Sequence, residues 1–163
     1  EIPSFSFENQ NEKIVSNELV KDKVYCSNFF FTTCRSICPK MNKNLAEVVK
    51  EFKGDDRISF LSHSLDPAND SPEILSAYAG GFGVDAENWH FLTGSEKEIY
   101  TLAGVGGYFV SARRDEASID GIDHSGKVAL VDKNGRIRAY HDLTDSANID
   151  ELIKDIRFLL DEK

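Results

Sequence analysis

Positive charge, cysteine and long apolar runs are all scarce in this chain, and each scarcity removes a class of function. Lys and Arg number 19 against 28 Asp and Glu, a formal net charge of −9. Nucleic acid and anionic lipid surfaces both need clustered positive charge, so neither is expected as a main partner. No window approaches the ~20 apolar residues of a membrane-spanning helix. Three cysteines are too few for a disulfide scaffold. Two of them stand close together while Cys26 is left over, a distribution that fits a site better than a staple. The chain opens Glu1-Ile2-Pro3 without a methionine and is therefore expected to be a processed or trimmed piece, its leader or anchor lying upstream.

What is present reads as one globular domain over residues 1–163, long enough to bury roughly two thirds of its unfolded surface. Apolar residues make up 40% and charged residues 29%, an ordinary balance for a chain with a core. Phe5-Ser6-Phe7 and Ile14-Val15, separated by a polar turn, predict a small hairpin, and Asn17 is expected to cap a short turn through Val20. Lys23 to Phe31 reads as a central strand. A helix follows on the spacing of Met41, Leu45, Val48, Val49 and Phe52, and Gly54-Asp55-Asp56 stops it. Ile58 to Leu65 predicts a second core strand. Ser71-Pro72 then opens another helix, with proline at its first position. Trp89 to Leu92 is a short strand, and Thr93 or Ser95 caps a helix through Ala103.

Gly104-Val105-Gly106-Gly107 is rejected as a phosphate loop, because it follows a helix and lacks the Lys-Ser/Thr ending. Lys127 to Asp132 and Arg136 to Tyr140 flank Lys133-Asn134-Gly135, a hairpin signal. An amphipathic helix through Leu160 closes the chain, capped near Asp145 or Ser146. Strands alternating with helices indicate a parallel sheet, to which the hairpin adds an antiparallel part.

The chemistry concentrates in Thr32-Thr33-Cys34-Arg35-Ser36-Ile37-Cys38-Pro39-Lys40-Met41. Pro39 at a helix start puts Cys38 at the cap and Cys34 in the preceding loop, where the helix dipole and Arg35 both favour thiolate over thiol. Two such sulfurs can close a disulfide or hold a soft metal ion. On a regular helix, cysteines at i and i+4 stand ~5–6 Å apart at Cβ, whereas a disulfide needs ~3.5–4.5 Å. With Cys34 in the loop that gap can close. A cysteine pair at the first strand-to-helix junction of such a chain points to a thioredoxin-like α/β fold, a central mixed sheet flanked by helices with the hairpin at the N-terminus.

The sequence resembles the SCO/SenC family of copper-binding, thioredoxin-like proteins, which assist assembly of the dinuclear copper site of cytochrome c oxidase. The likeness covers nearly the whole chain. It rests on Phe31-Thr32-Thr33-Cys34 with Cys38-Pro39, Ser64-Leu65-Asp66-Pro67 with Asp70-Ser71-Pro72-Glu73, and Trp89-His90-Phe91-Leu92-Thr93-Gly94. Asp123-His124-Ser125 and Leu130-Val131-Asp132-Lys133-Asn134-Gly135 complete it. The resemblance implies copper, Cu(I) or Cu(II), held by Cys34, Cys38 and His124. It implies work on the copper-carrying oxidase subunit, with a thioredoxin-like reductant or another copper chaperone as further partners. It also implies an extracytoplasmic setting, the bacterial periplasm, with a membrane tether upstream. Members often carry proline directly after the first cysteine, where this chain has Arg35, and Cys26 lies outside the family pattern.

Thiolates select Cu(I) and imidazole suits either oxidation state, so two sulfurs and a nitrogen form a coherent donor set. The other histidines, His63, His90 and His141, read as structural. Cys26 reads as a small buried hydrophobe, with a fourth metal ligand as its alternative. Asp66 either orients the site or is a turn residue.

The competing function is thiol–disulfide exchange by Cys34 and Cys38, which would make the protein a reductase and not simply a metal carrier. The three-residue spacer is longer than the two-residue spacer of thioredoxin-like redox motifs. A peroxidase of the peroxiredoxin type would show Pro-x-x-x-Thr-x-x-Cys, but Ser27 and Phe31 stand at the proline and threonine positions.

Overall fold

A computed structural model of the protein describes residues 2–35, 37–104, 107–110, 112–114, 122–124 and 126–162, with the backbone alone at residues 37, 112–114 and 122–124. Its centre is a sheet built on two fully buried strands, β3 (Val24–Phe30) and β4 (Ile58–Ser64). Both are covered on two faces, so neither sequence alternates strictly between apolar and polar, and even the polar residues of the two strands are buried. They pair in parallel from Val24 opposite Ile58 to Phe30 opposite Ser64. β5 (Trp89–Leu92) adds a third parallel strand beside β4, with Phe60 opposite Trp89. On the other side β8 (Lys127–Val131) runs antiparallel to β3, and β9 (Ile137–Asp142) runs antiparallel to β8. The order is β5-β4-β3-β8-β9, a mixed five-stranded sheet.

The crossovers are helical, as parallel neighbours require. α2 (Ile37–Glu51) links β3 to β4, and α3 (Pro72–Gly80) links β4 to β5. Ser71 caps α3 by accepting from the Ile74 amide, and Gly54, at φ 84°, supplies the left-handed turn that ends the α2 segment. α4 (Glu96–Ala103) begins under Ser95, which accepts from Glu98 N. Gly104 closes this helix, its N–H donating to Tyr100 O at 3.1 Å, and a Cβ on Gly107 would run into the Leu102 backbone. α5 (Ile149–Asp161) packs against α2 and buries Leu152, Ile156, Leu159 and Leu160.

The N-terminal hairpin is present as β1 (Ser6–Glu8) and β2 (Ile14–Ser16), with Phe7 opposite Val15. Its cap differs from expectation. Ser16 caps the short helix α1 (Asn17–Val20) by accepting from Glu18 N, while the Asn17 side chain ties down the chain start. Asn17 Oδ1 accepts from Phe5 N at 2.7 Å, and its Nδ2 donates to Pro3 O. Serine and asparagine are nearly equal caps, so the tertiary bond to Phe5 decides.

At the C-terminal end Asp145 caps a short 3-10 turn (Ser146–Asn148), and the α-helix proper starts only at Ile149. The stretch from Gly104 to Asp123, which carried no assignment from sequence, holds all but the last residue of an antiparallel ribbon of β6 (Ala112–Arg114) and β7 (Ile122–His124).

Candidate metal centre

Cys34 lies in the loop that leaves β3, where its amide donates to Phe31 O at 3.1 Å and folds the chain back on itself. Cys38 is one residue inside α2, which begins at Ile37, so it sits in the first turn and not at the cap. The first turn still lies at the positive end of the helix dipole, so the chemical setting expected of Cys38 is kept. Neither thiol is in a disulfide, and both are buried, at 7% exposure for Cys34 and 1% for Cys38. Arg35 between them is exposed.

The loop is held by a residue to which sequence reasoning gave no role. Asp70 is fully buried and accepts four hydrogen bonds. Thr32 N donates to it at 3.1 Å, Thr32 Oγ1 at 2.5 Å, Ser64 Oγ at 2.7 Å and Asn69 Nδ2 at 3.2 Å. A buried carboxylate needs such a set of donors. The result clamps the start of the cysteine loop to the end of β4. Asp66, the acid weighed from sequence, has its main chain in the turn that delivers this group: its carbonyl accepts from Asn69 N and from Asp70 N at 2.9 Å.

A groove of about 450 Å³ opens beside the loop, with Thr32, Cys34, Pro39, Lys43, Tyr78 and Phe82 among its lining residues. Burial is the main cause that pushes the Tyr78 hydroxyl above its ordinary value, and charge on Cys38 and Cys34 adds to it.

Cys26 is a core residue, 1% exposed, lying between Phe60 and Leu130 in the sheet register. Burial pushes its thiol far up, away from the thiolate that metal binding requires. His63 is fully buried, stacked on Phe29 at 4.7 Å between centroids, with Nδ1 hydrogen-bonded to Asn28 O at 3.1 Å. Burial holds it at about 4. His90 meets Asn9 Nδ2 at 3.2 Å and is likewise pushed down to about 4, chiefly by burial. His141 Nε2 lies 2.9 Å from Asp155.

His124 is the last residue of β7, opposite Ala112, and its side chain lies outside the described residues, as does Ser125. The backbone nevertheless fixes which end of the sheet it occupies. Because β8 is antiparallel to β3, with Ser27 opposite Ala129, the chain enters β8 at the edge where β3 leaves. His124 precedes that entry by three residues, and Cys34 follows the exit of β3 by four. The two cysteines are brought together at the head of α2, and the histidine backbone arrives at the same edge. Among the described residues no group of three or more His, Cys, Asp or Glu could hold a metal ion.

The sequence model of the SCO1/SenC family matches residues 1–161. The chain belongs to that family. A SCO1/SenC family lipoprotein from Bacillus anthracis superposes with a TM-score of 0.89 at 29% identity, over 99% of this chain and 95% of that one. BsSco, a member of the Sco family of cytochrome c oxidase assembly proteins in which a disulfide switch was identified, gives 0.87 at 30% identity over 100% and 95%. Arabidopsis thaliana ScoI, solved with copper bound, gives 0.73 at 25% identity over 96% and 98%. The thioredoxin-like α/β fold of the SCO1/SenC proteins is therefore the fold of this chain, hairpin included.

Proposed function

We propose that this protein, acting as a single domain, binds copper through Cys34, Cys38 and His124 and serves assembly of the dinuclear copper site of cytochrome c oxidase. The observation that carries this reading is the pair of buried, reduced cysteines, not joined in a disulfide, at the amino end of α2 in a SCO1/SenC chain. The donor chemistry fits the cargo. Two soft sulfurs suffice for Cu(I), and a third, borderline donor such as imidazole extends the set to Cu(II). His124 is the candidate for that donor, because the strand order brings its backbone to the cysteine edge while the other three histidines have protein partners.

The partner is the copper-carrying oxidase subunit, and a copper chaperone or a thioredoxin-like reductant acts upstream. The protein works outside the cytoplasm, in the bacterial periplasm, tethered at its N-terminal side. The lipoprotein nature of the Bacillus anthracis relative supports the extracytoplasmic, tethered placement. Among the described residues no helix is long and apolar enough to cross a membrane.

The test is an anaerobic titration of the reduced protein with Cu(I) and then Cu(II), run beside His124→Ala. Each ion, titrated into its own sample, should bind at one equivalent. The sulfur-to-copper charge-transfer band of the Cu(II) form should be lost in the variant, while Cu(I) binding falls less, because two thiolates hold Cu(I) alone. Full retention of the band in His124→Ala overturns the three-donor site.

A second reading is favoured by the reduced state of the cysteine pair and by the disulfide switch of BsSco. In it Cys34 and Cys38 give up two protons and two electrons to a partner disulfide as their own S–S bond forms, which reduces the partner. A protein that ignores copper but exchanges rapidly with a dithiol donor would act this way.

A further inference from the structure

Five polar side chains, from three adjacent strands and two helices, form one unbroken line through the core. Trp89 Nε1 donates to Ser62 Oγ at 3.0 Å, and Ser62 Oγ donates to Asn28 Oδ1 at 2.6 Å. Asn28 Nδ2 donates to Asn42 Oδ1 at 2.9 Å, and Asn42 Nδ2 donates to Tyr78 Oη at 3.0 Å. Asn28, Asn42, Ser62 and Trp89 are all buried. The direction is set at the indole end, because an indole N–H can only donate. Ser62 receives that proton on its oxygen and sends its own to Asn28. Each carboxamide then accepts on oxygen and gives on nitrogen.

The line therefore ends on Tyr78 with its hydroxyl as acceptor, and the phenolic O–H is left to donate elsewhere. Dipoles aligned in series polarise one another, which strengthens the terminal donor.

Tyr78 lies beside the cysteine loop. Its ring stacks on Phe30, the last residue of β3, at 5.1 Å and 19°, and meets Phe82 edge-on at 5.1 Å. It is thus fixed to the strand that delivers the cysteine loop. Tyr78 and Cys34 line the same groove.

We propose that Tyr78 is a positioning residue for the cysteine pair: its hydroxyl donates to sulfur when Cys34 and Cys38 are reduced, and the line from Trp89 through Asn42 holds it in that donor state. The inference rests on the reading of this pair as the functional site. A thiol or thiolate sulfur is a better acceptor than a disulfide sulfur, so the bond favours the reduced form.

The test needs no copper, so its failure is distinct from failure of the copper reading. The whole chain is equilibrated in buffers of reduced and oxidised dithiothreitol. The Cys34 and Cys38 thiols lose two protons and two electrons as their S–S bond forms, and the dithiothreitol disulfide takes them up. Tyr78→Phe removes one oxygen and keeps the ring stack. It should shift the equilibrium about tenfold toward the protein disulfide, a potential about 30 mV lower.

Phe82→Leu disturbs the same aromatic cluster without touching the hydroxyl, and its potential should equal that of the wild type whatever its stability in urea. Ser62→Ala cuts the line at its second link and should give a smaller shift in the same direction. An unchanged potential in Tyr78→Phe, or an equal shift in Phe82→Leu, overturns the proposal. A wild-type value in Ser62→Ala overturns the part assigned to the line.

Discussion

Asp70 holds Thr32 by two hydrogen bonds, from the amide at 3.1 Å and from the hydroxyl at 2.5 Å, and this pair sets where the cysteine loop begins. Thr32 is two residues before Cys34, so the carboxylate governs the loop without being part of the donor set. Asp70→Ala would take the acceptor from the half-buried Thr32 amide and from the buried Ser64 hydroxyl. Each such orphan costs about 1–3 kcal/mol. The variant should lose about 2–4 kcal/mol in urea unfolding and also bind Cu(II) more weakly. Thr32→Val, which removes one donor and keeps the amide bond, should lose only about 1 kcal/mol. Equal losses in the two would mean that the carboxylate does not organise the loop.

Acid should weaken the fold through His63. Its neutral form is held in the core at about 4, below the ordinary 6.5. Between those values the unfolded chain binds more protons than the folded one, so stability rises with pH and is lost as pH falls from 6.5 toward 4. For a fully buried group the loss between pH 7 and pH 5 is about 2 kcal/mol. His90 adds to the same window, though it is less completely buried. Urea midpoints at pH 7 and pH 5 should therefore differ less in His63→Leu than in the wild type. An unchanged difference would show that His63 titrates normally in the folded state.

The parts of this molecule that could be read from sequence are those decided by neighbours along the chain. The strand cores of β3 and β4, the proline-marked start of α3, and the turn at Lys133-Asn134-Gly135 all carry local signals, and Gly135 takes the left-handed conformation at φ 75°, whereas α2 starts at Ile37, ahead of the Pro39 that was expected to open it. Asp70 carried none. A buried acid next to Ser71-Pro72 looks like an ordinary solvated helix-start residue until Thr32 and Ser64 are folded onto it. Asn28, Asn42 and Ser62 were equally silent, because each finds its partner 14 or more residues away. The β6–β7 ribbon was missed for a related reason: three-residue strands give periodicity too little length to register.

Cys26 separates a metal ligand from a packing residue. It is 1% exposed in the middle of β3, so Cys26→Ala should leave copper stoichiometry and the charge-transfer band unchanged. The cost should appear in stability instead, about 1–2 kcal/mol from the small cavity left behind. Isothermal titration and urea unfolding on the same sample measure both. Loss of copper affinity at wild-type stability would make Cys26 a fourth ligand.

The three thiols should also differ in how an alkylating reagent finds them. Cys34 borders the groove and keeps 7% of its surface exposed, whereas Cys38 and Cys26 keep 1% each. Cys38 lies in the first turn of α2, where the dipole favours its ionised form once a reagent arrives, but Cys26 has no such help and its thiol is pushed up by burial. Iodoacetamide on the native, reduced protein should therefore modify Cys34 first, Cys38 next and Cys26 last, as followed by peptide mass spectrometry over time. Prior loading with one equivalent of Cu(I) should protect Cys34 and Cys38 together and leave Cys26 as slow as before. Protection of only one of the two would mean that the metal is not held between them, and reaction of Cys26 ahead of Cys38 would mean that the sheet opens before the helix start does.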